Sequence, residues 1–251
     1  MEKKLADRIA IVTGASRGIG AQIAISLAEQ GAKVVLASRK AEPLEALADQ
    51  IEAGGGEALA IATHMGKADQ IKNLVDKTLA AYGKIDVLIN NAATNPVFGP
   101  VMFCEEPALK KIFEVNLFGP FLLAQACREP MQKAGYGKIV NLTSTAAFRY
   151  APMLGVYGMS KAALQMMTQT LAAEWGPFGI RVNAVAPGLV KTDFSAALWS
   201  SEDVLKTALE KQALNTLMEP GDVVGAVAFL AGPDSDFVTG QTLVVDAGST
   251  T

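Results

Sequence analysis

The chain has 251 residues, half of them apolar, and a formal net charge of −3. That length suits one large α/β domain with an ample core, and the acidic balance excludes the basic face that nucleic-acid binding needs. Only 19% of residues are charged, below the usual share, which implies surface buried against other subunits. The single histidine, His64, and the isolated Cys104 and Cys127 leave no metal-ligand set and no Ser-His-Asp hydrolase. The cysteines read as reduced thiols of a cytoplasmic protein. No apolar run is long enough to span a membrane, and the amino-terminal stretch lacks the pattern of a secretory signal.

Taken in chain order, short apolar runs at 9–13, 33–37, 58–62, 87–89, 138–142, 181–185 and 242–245 read as strands. They lack period-two alternation, as strands covered on both faces do. Helical patterns at 20–30, 43–53, 70–82, 109–133, 157–175 and 223–230 lie between them. Seven strands and six crossovers predict one α/β domain over 1–251, a seven-stranded doubly wound parallel sheet with helices on both faces. The stretch 192–217 is an excursion long enough to be a substrate lid. Within it, Ser200 and Asp203 form a capping-box pattern opening a short helix.

The first strand runs into Gly14-Ala15-Ser16-Arg17-Gly18-Ile19-Gly20 and then a helix. Glycines there permit a tight turn and let the backbone approach a pyrophosphate seated on a helix N-terminus; a plain turn is the alternative. The second strand ends in Ser38-Arg39-Lys40, where a site for free ribose hydroxyls normally places a carboxylate. Arg39, with Arg17 from the turn opposite, predicts a clamp on a 2′-phosphate and hence NADP(H), with no acid to repel it.

Tyr157 and Lys161 stand four residues apart in a helical stretch and share one face. A phenol ordinarily ionises near ~10, and an ammonium beside it is expected to draw that value toward neutrality, making an acid/base. Ser144 follows the fifth strand, at the end of the sheet where ligands bind. The spacing of Leu109, Ile112, Phe113, Asn116 and Leu117 puts Asn116 on an apolar face, where its amide needs partners. Pro120 cannot donate to the Asn116 carbonyl. Either that carbonyl holds something else, such as a water leading toward Lys161, or the pair marks only a kinked helix.

In order and spacing, Thr13-Gly14-x-x-x-Gly18-x-Gly20, Asn90-Asn91-Ala92, Asn116, Ser144, Tyr157-x-x-x-Lys161 and Pro187-Gly188 resemble the short-chain dehydrogenase/reductase family over essentially the whole chain. Segments 91–99 and 186–199 resemble its NADPH-dependent carbonyl/retinol reductases, peroxisomal members included. The resemblance implies a single-domain Rossmann fold and hydride exchange between a nicotinamide and a carbonyl or alcohol carbon. It assigns Tyr157 as acid/base, Lys161 to lower its pKa and hold ribose, Ser144 to orient the carbonyl and Asn116 to support a proton relay. It further implies cofactor contacts from Asn91, Ala92 and Ala93, from Pro187, Gly188, Val190 and Thr192, and from His64 and Met65 beside the adenine. A homotetramer is implied as well. Ala93 stands where the commoner motif has Gly, and His64 where it has Asp, both marks of the carbonyl-reductase branch. The chain ends without a peroxisomal address, which favours the cytoplasm.

Val97, Phe98, Phe148, Tyr150, Met153, Leu154, Phe194, Leu198 and Trp199 are candidates for an apolar wall suited to a small lipophilic ketone or aldehyde. Arg149 and Lys191 would meet an acidic substrate or solvent. One rival activity is reduction of 3-oxoacyl thioesters on an acyl-carrier protein, which needs a basic docking patch; only scattered Arg128, Lys133 and Arg149 are available. A rival of another class is a non-catalytic NADPH-binding sensor, against which the intact Ser-Tyr-Lys set speaks.

Overall fold

A computed structural model describes residues 3–251. The strands are β1 (Ile9–Thr13), β2 (Lys33–Ser38), β3 (Glu57–Ala62), β4 (Val87–Asn90), β5 (Gly137–Leu142), β6 (Ile180–Pro187) and β7 (Thr242–Val245). They form one parallel sheet in the order β3-β2-β1-β4-β5-β6-β7, each on an apolar run that the sequence marks out. The helices are α1 (Gly18–Glu29), α2 (Glu42–Ala53), α3 (Ala68–Tyr82), α4 (Glu106–Phe113), α5 (Gly119–Ala134), α6 (Gly155–Trp175), α7 (Ala196–Trp199), α8 (Glu202–Leu209) and α9 (Gly221–Ala231).

Side chains alternate across a strand, so β1 feeds two cores. Ala10 and Val12 pack with Ile23 and Leu27 of α1 and Val223 and Val227 of α9. Ile9 and Ile11 face the other way, toward Leu74 of α3, Leu123 of α5 and Leu164 of α6. Each such aliphatic side chain contributes roughly 1.5–3 kcal/mol by leaving water. That two-sided demand is why the strands read as unbroken apolar runs. Strand order reverses between β1 and β4, so the crevice for a ligand opens beyond their carboxyl ends.

Two expectations need correction. The stretch 109–133 is not one helix: α4 ends at Phe113, a wider π-turn occupies Glu114–Phe118, and α5 starts at Gly119. Pro120 has no N–H for the ordinary ladder, and a π-turn absorbs such a break. Ser200 and Asp203 form no capping box. Ser200 closes α7 in helical conformation, so its side chain is not placed to cap α8, whose flanking Ser201 makes no side-chain cap.

Gly119 fixes where the π-turn meets the end of β3. A Cβ there would lie 2.1 Å from the Met65 carbonyl oxygen, a clash that outweighs the gain of ~1 kcal/mol alanine brings to a helix. We expect Gly119→Ala to lower unfolding free energy in urea by about 1–3 kcal/mol; an unchanged or higher midpoint would refute the tight packing.

Candidate active site

The crevice is built first from Thr13, the last residue of β1. Its buried hydroxyl donates to the Ile89 carbonyl (3.2 Å) and accepts from the Asn91 (3.0 Å) and Ala92 (3.1 Å) amides. Asn91 answers with its side-chain amide on the Thr13 carbonyl at 2.8 Å. The Gly14 turn and the strand opposite are thereby laced together. Gly14 has φ +66, open to glycine at no steric cost, and a Cβ on Gly20 would lie 2.3 Å from the Gly14 oxygen. Ser16, Gly18 and Ile19 complete the turn. The first turn of α1 carries no acidic residue, and its flanking Arg17 supplies no side-chain cap. Its amide donors and dipole are left for an external anion, which fits the pyrophosphate of a dinucleotide.

At the far side, Arg39 and Lys40 project exposed from the end of β2, and the Ser38 hydroxyl donates to the Lys40 carbonyl. Arg17 is not free for the expected clamp. Its guanidinium pairs with Asp193 at 2.9 Å, so an acid reaches this region from a segment distant in sequence. His64 accepts the Gly66 amide on Nδ1 (2.9 Å) and has Lys111 Nζ 3.0 Å from Nε2. Burial first, then Lys111, Arg39 and Lys67, hold its pKa below the ordinary value. Met65 is buried beneath it. Lys111, Arg39 and Lys67 thus act on a neutral imidazole at this position.

The reacting end lies between β5 and α6. Tyr157 and Lys161 share one face as their spacing requires, and both are buried. The phenol of the cofactor-free chain is not drawn toward neutrality: burial pushes Tyr157 up to about 12, with Ser144 pulling the other way. Burial also lowers the Lys161 ammonium to about 7. Lys161 Nζ donates to the Leu142 carbonyl at 2.6 Å and stands 5.6 Å from the Tyr157 ring centre. Its proximity does not outweigh desolvation. Ser144, extended after β5, also accepts the Ala146 amide.

Asn116 has every partner its buried amide demands. Oδ1 accepts from the Thr94 amide (2.8 Å), while Nδ2 donates to the Thr94 carbonyl and to Ser160 Oγ, both at 3.0 Å. Ser160 donates on to the Tyr157 carbonyl at 2.7 Å. The side chain therefore braces the loop holding Ala93 and Thr94 against α6.

β6 ends at Pro187, and Gly188 leads on to Val190 and Thr192. A capping box does occur in this segment, but between Thr192 and Ser195. Trp199 Nε1 donates to the Thr192 carbonyl at 3.0 Å, so Trp199 braces the segment. The Phe194 ring centre stands 5.7 Å from that of Tyr157. Phe98, Phe148, Met153 and Phe194 are each partly exposed, and Tyr150 is 81% exposed. Sequence reasoning missed Ser160, Asp193 and Lys111, none of which carried a local signal, and it read Thr13 only as part of the glycine motif without its bonding role.

These features define a nicotinamide-dependent oxidoreductase acting on CH–OH groups, and the chain belongs to the short-chain dehydrogenase/reductase family. Residues 14–250 match the family model described as Enoyl-(Acyl carrier protein) reductase. The chain is 39% identical over 245 residues to Dehydrogenase/reductase SDR family member 4 of Homo sapiens, covering 98% of this chain and 88% of that protein. Among solved structures it is similar to a gluconate 5-dehydrogenase from Burkholderia cenocepacia J2315 in complex with NADP and tartrate. The TM-score is 0.95 at 33% identity, with 99% of this chain and 97% of that one covered. It is also similar to a 7α-hydroxysteroid dehydrogenase complexed with NADH and 7-oxo glycochenodeoxycholic acid, with TM-score 0.94, 32% identity, and 98% and 96% covered.

A lysine lowered to about 7 in the fold against ~10.4 unfolded has a definite pH signature. Between those values the unfolded chain binds more protons, so stability rises with pH; below them both forms are charged and the full burial penalty stays. Lys161→Met lacks this dependence. In urea titrations of the cofactor-free protein from pH 7 to 9, the stability difference should shift in the parent's favour by up to ~1.4 kcal/mol per pH unit. A difference flat with pH would refute the buried ammonium.

Proposed function

We propose that the protein reduces a lipophilic ketone or aldehyde with NADPH as the hydride source. The observation that carries this reading is the buried Tyr157 phenol, which burial keeps protonated at neutral pH, with Ser144 close enough to influence it at the carboxyl end of the sheet. When bound, the dinucleotide supplies a hydride to the carbonyl carbon. Ser144 and Tyr157 then hydrogen-bond the carbonyl oxygen, and Tyr157 donates its proton as negative charge gathers there. Lys161 would hold the ribose from behind the phenol. Asn116 keeps the Thr94 loop against α6, so the walls of the crevice stay in register.

Arg39, Lys40 and Arg17 would surround a 2′-phosphate, with Asn91, Ala92, Ala93, Pro187, Gly188, Val190 and Thr192 along the remainder of the dinucleotide. The phosphate must compete with Asp193 for Arg17, a modest obstacle because that pair is exposed. The NADP bound to the gluconate 5-dehydrogenase favours the same choice. The partly exposed Phe98, Phe148, Met153 and Phe194 supply the apolar wall. We read the segment 192–217 as the substrate lid.

A second reading, reduction of acyl thioesters on a carrier protein, draws support from the description of the family model. The scattered basic residues weigh against it. A non-catalytic sensor would have no use for the Ser144–Tyr157 contact. Exposed Met102, Phe118, Phe121, Met159 and Met166 form apolar surface along α5, α6 and the stretch before α4. Such surface suits contact with further copies, consistent with a homotetramer, and we place the enzyme in the cytoplasm.

With a panel of ketones, Tyr157→Phe is expected to lower kcat by about 10²–10⁴ while NADPH affinity stays near the parent's; unchanged turnover would defeat the acid role. NADPH should bind at least about tenfold tighter than NADH, equivalent to ~1.4 kcal/mol, and Arg39→Asp should erase or reverse that preference. Equal affinities in the parent would defeat the 2′-phosphate assignment. Faster turnover of carrier-bound thioesters than of free ketones would put the second reading first.

A further inference from the structure

Directly after β7 the chain closes into a small knot around one carboxylate. Asp246 is 7% exposed, and among the described residues no cation pairs with it. Its Oδ1 accepts from the Gly248 amide at 2.9 Å, and its Oδ2 accepts from the hydroxyls of Ser249 (2.9 Å) and Thr250 (2.7 Å). The Ser249 amide closes the turn on the Asp246 carbonyl at 3.1 Å. Burial alone would raise this carboxyl, but the Thr250 and Ser249 hydroxyls with the Gly248 and Thr250 amides outweigh it and hold the pKa below the ordinary value. The knot keeps Ala247 at φ +54, a left-handed conformation that alanine rarely adopts.

Three segments bordering the crevice are fastened to this knot. The Gly188 amide donates to the Val245 carbonyl at 2.9 Å, and a Cβ on Gly188 would lie 2.9 Å from the Asp246 Cα. The strained Ala247 offers its carbonyl to the Leu214 amide at 3.0 Å, and a Cβ on Gly248 would lie 2.6 Å from that of Ala213. Arg149, from the loop after Ser144, donates to Ser249 Oγ at 3.2 Å, the same hydroxyl that donates to Asp246. An ionised carboxylate only accepts, and here it meets only donors; an asparagine would turn an NH₂ against one side of that ring.

We propose that Asp246 is a positioning residue: its knot sets the Pro187-Gly188 turn, the far end of the 192–217 segment and the Arg149 loop at fixed separations. The nicotinamide end of the site and the lid are thereby placed as one unit. This rests on the reading above that Gly188 borders the nicotinamide and 192–217 the substrate. It goes beyond that reading because Asp246 touches neither ligand nor any of the reacting groups.

Asp246→Asn in the full chain tests it. Expected are a rise of roughly tenfold in the NADPH Kd and in KM for a reduced ketone, with a smaller fall in kcat at saturation. Hydrogen exchange at the Leu214 amide should quicken about tenfold while the β5 amides exchange as in the parent. The double variant Ser249→Ala, Thr250→Val keeps the carboxylate and should move the same readouts in the same direction by less, should Asp246→Asn fold poorly. Kd and KM within about twofold of the parent, or β5 and Leu214 exchange quickening together, would overturn the proposal and leave Asp246 a merely structural residue. The exchange comparison needs no cofactor, so it decides the knot's role even where the parent shows no NADPH-dependent turnover and the functional reading itself fails.

Discussion

Everything at the reacting end depends on one constraint, the burial of an ammonium between β5 and α6. Lys161 meets the Leu142 carbonyl but, among the described residues, no carboxylate. Such a charge is costly, and burial lowers the amine's pKa to about 7, so that at neutral pH the cost is partly relieved by loss of the proton. Asn141 links Asn90 to Thr168 through the core, and Ser160 is shared between Asn116 and the Tyr157 carbonyl. Asn90 Oδ1 stays buried without a partner, and beside Lys161 stands a phenol that keeps its proton. Burial thus makes the same pair expensive to fold and keeps the phenol protonated at neutral pH.

The two cores give that chemistry a rigid floor. β1, β4 and β5 are buried along their whole lengths, so the residues at their carboxyl ends inherit positions that the cores have already set. Thr13 shows the economy of this arrangement: one hydroxyl satisfies a carbonyl and two amides across the switch point.

Much of the fold was legible because parallel strands buried on both faces leave a plain mark in the chain. Every strand fell on an apolar run, and the Gly14–Gly20 turn, Ser144, Tyr157 and Lys161 converge as their spacing implied. What stayed hidden depended on tertiary environment. The pKa order of Tyr157 and Lys161 follows from burial, which spacing cannot report. The pairing of Arg17 with Asp193 joins residues far apart in the chain, and so does the meeting of His64 with Lys111. Ser200 looked like a cap because its type and spacing suited one, yet it was already spent closing α7. Asp246 had no motif at all: its role comes from donors gathered by a turn that only the folded chain forms.

The strand order has a consequence for how the chain is made. β1 finds its first neighbour in β2, but its second, β4, pairs through contacts such as Ala10 with Val87. At synthesis rates of about 5–20 residues per second, the nascent sheet spends on the order of several seconds with β1, an interior strand of the finished sheet, open along one edge. Non-local pairing of this kind folds slowly, and an open apolar edge is what chaperones grip and aggregates grow from. The reversal that creates a cleft for a ligand therefore also sets the interval in which the newborn chain most needs protection.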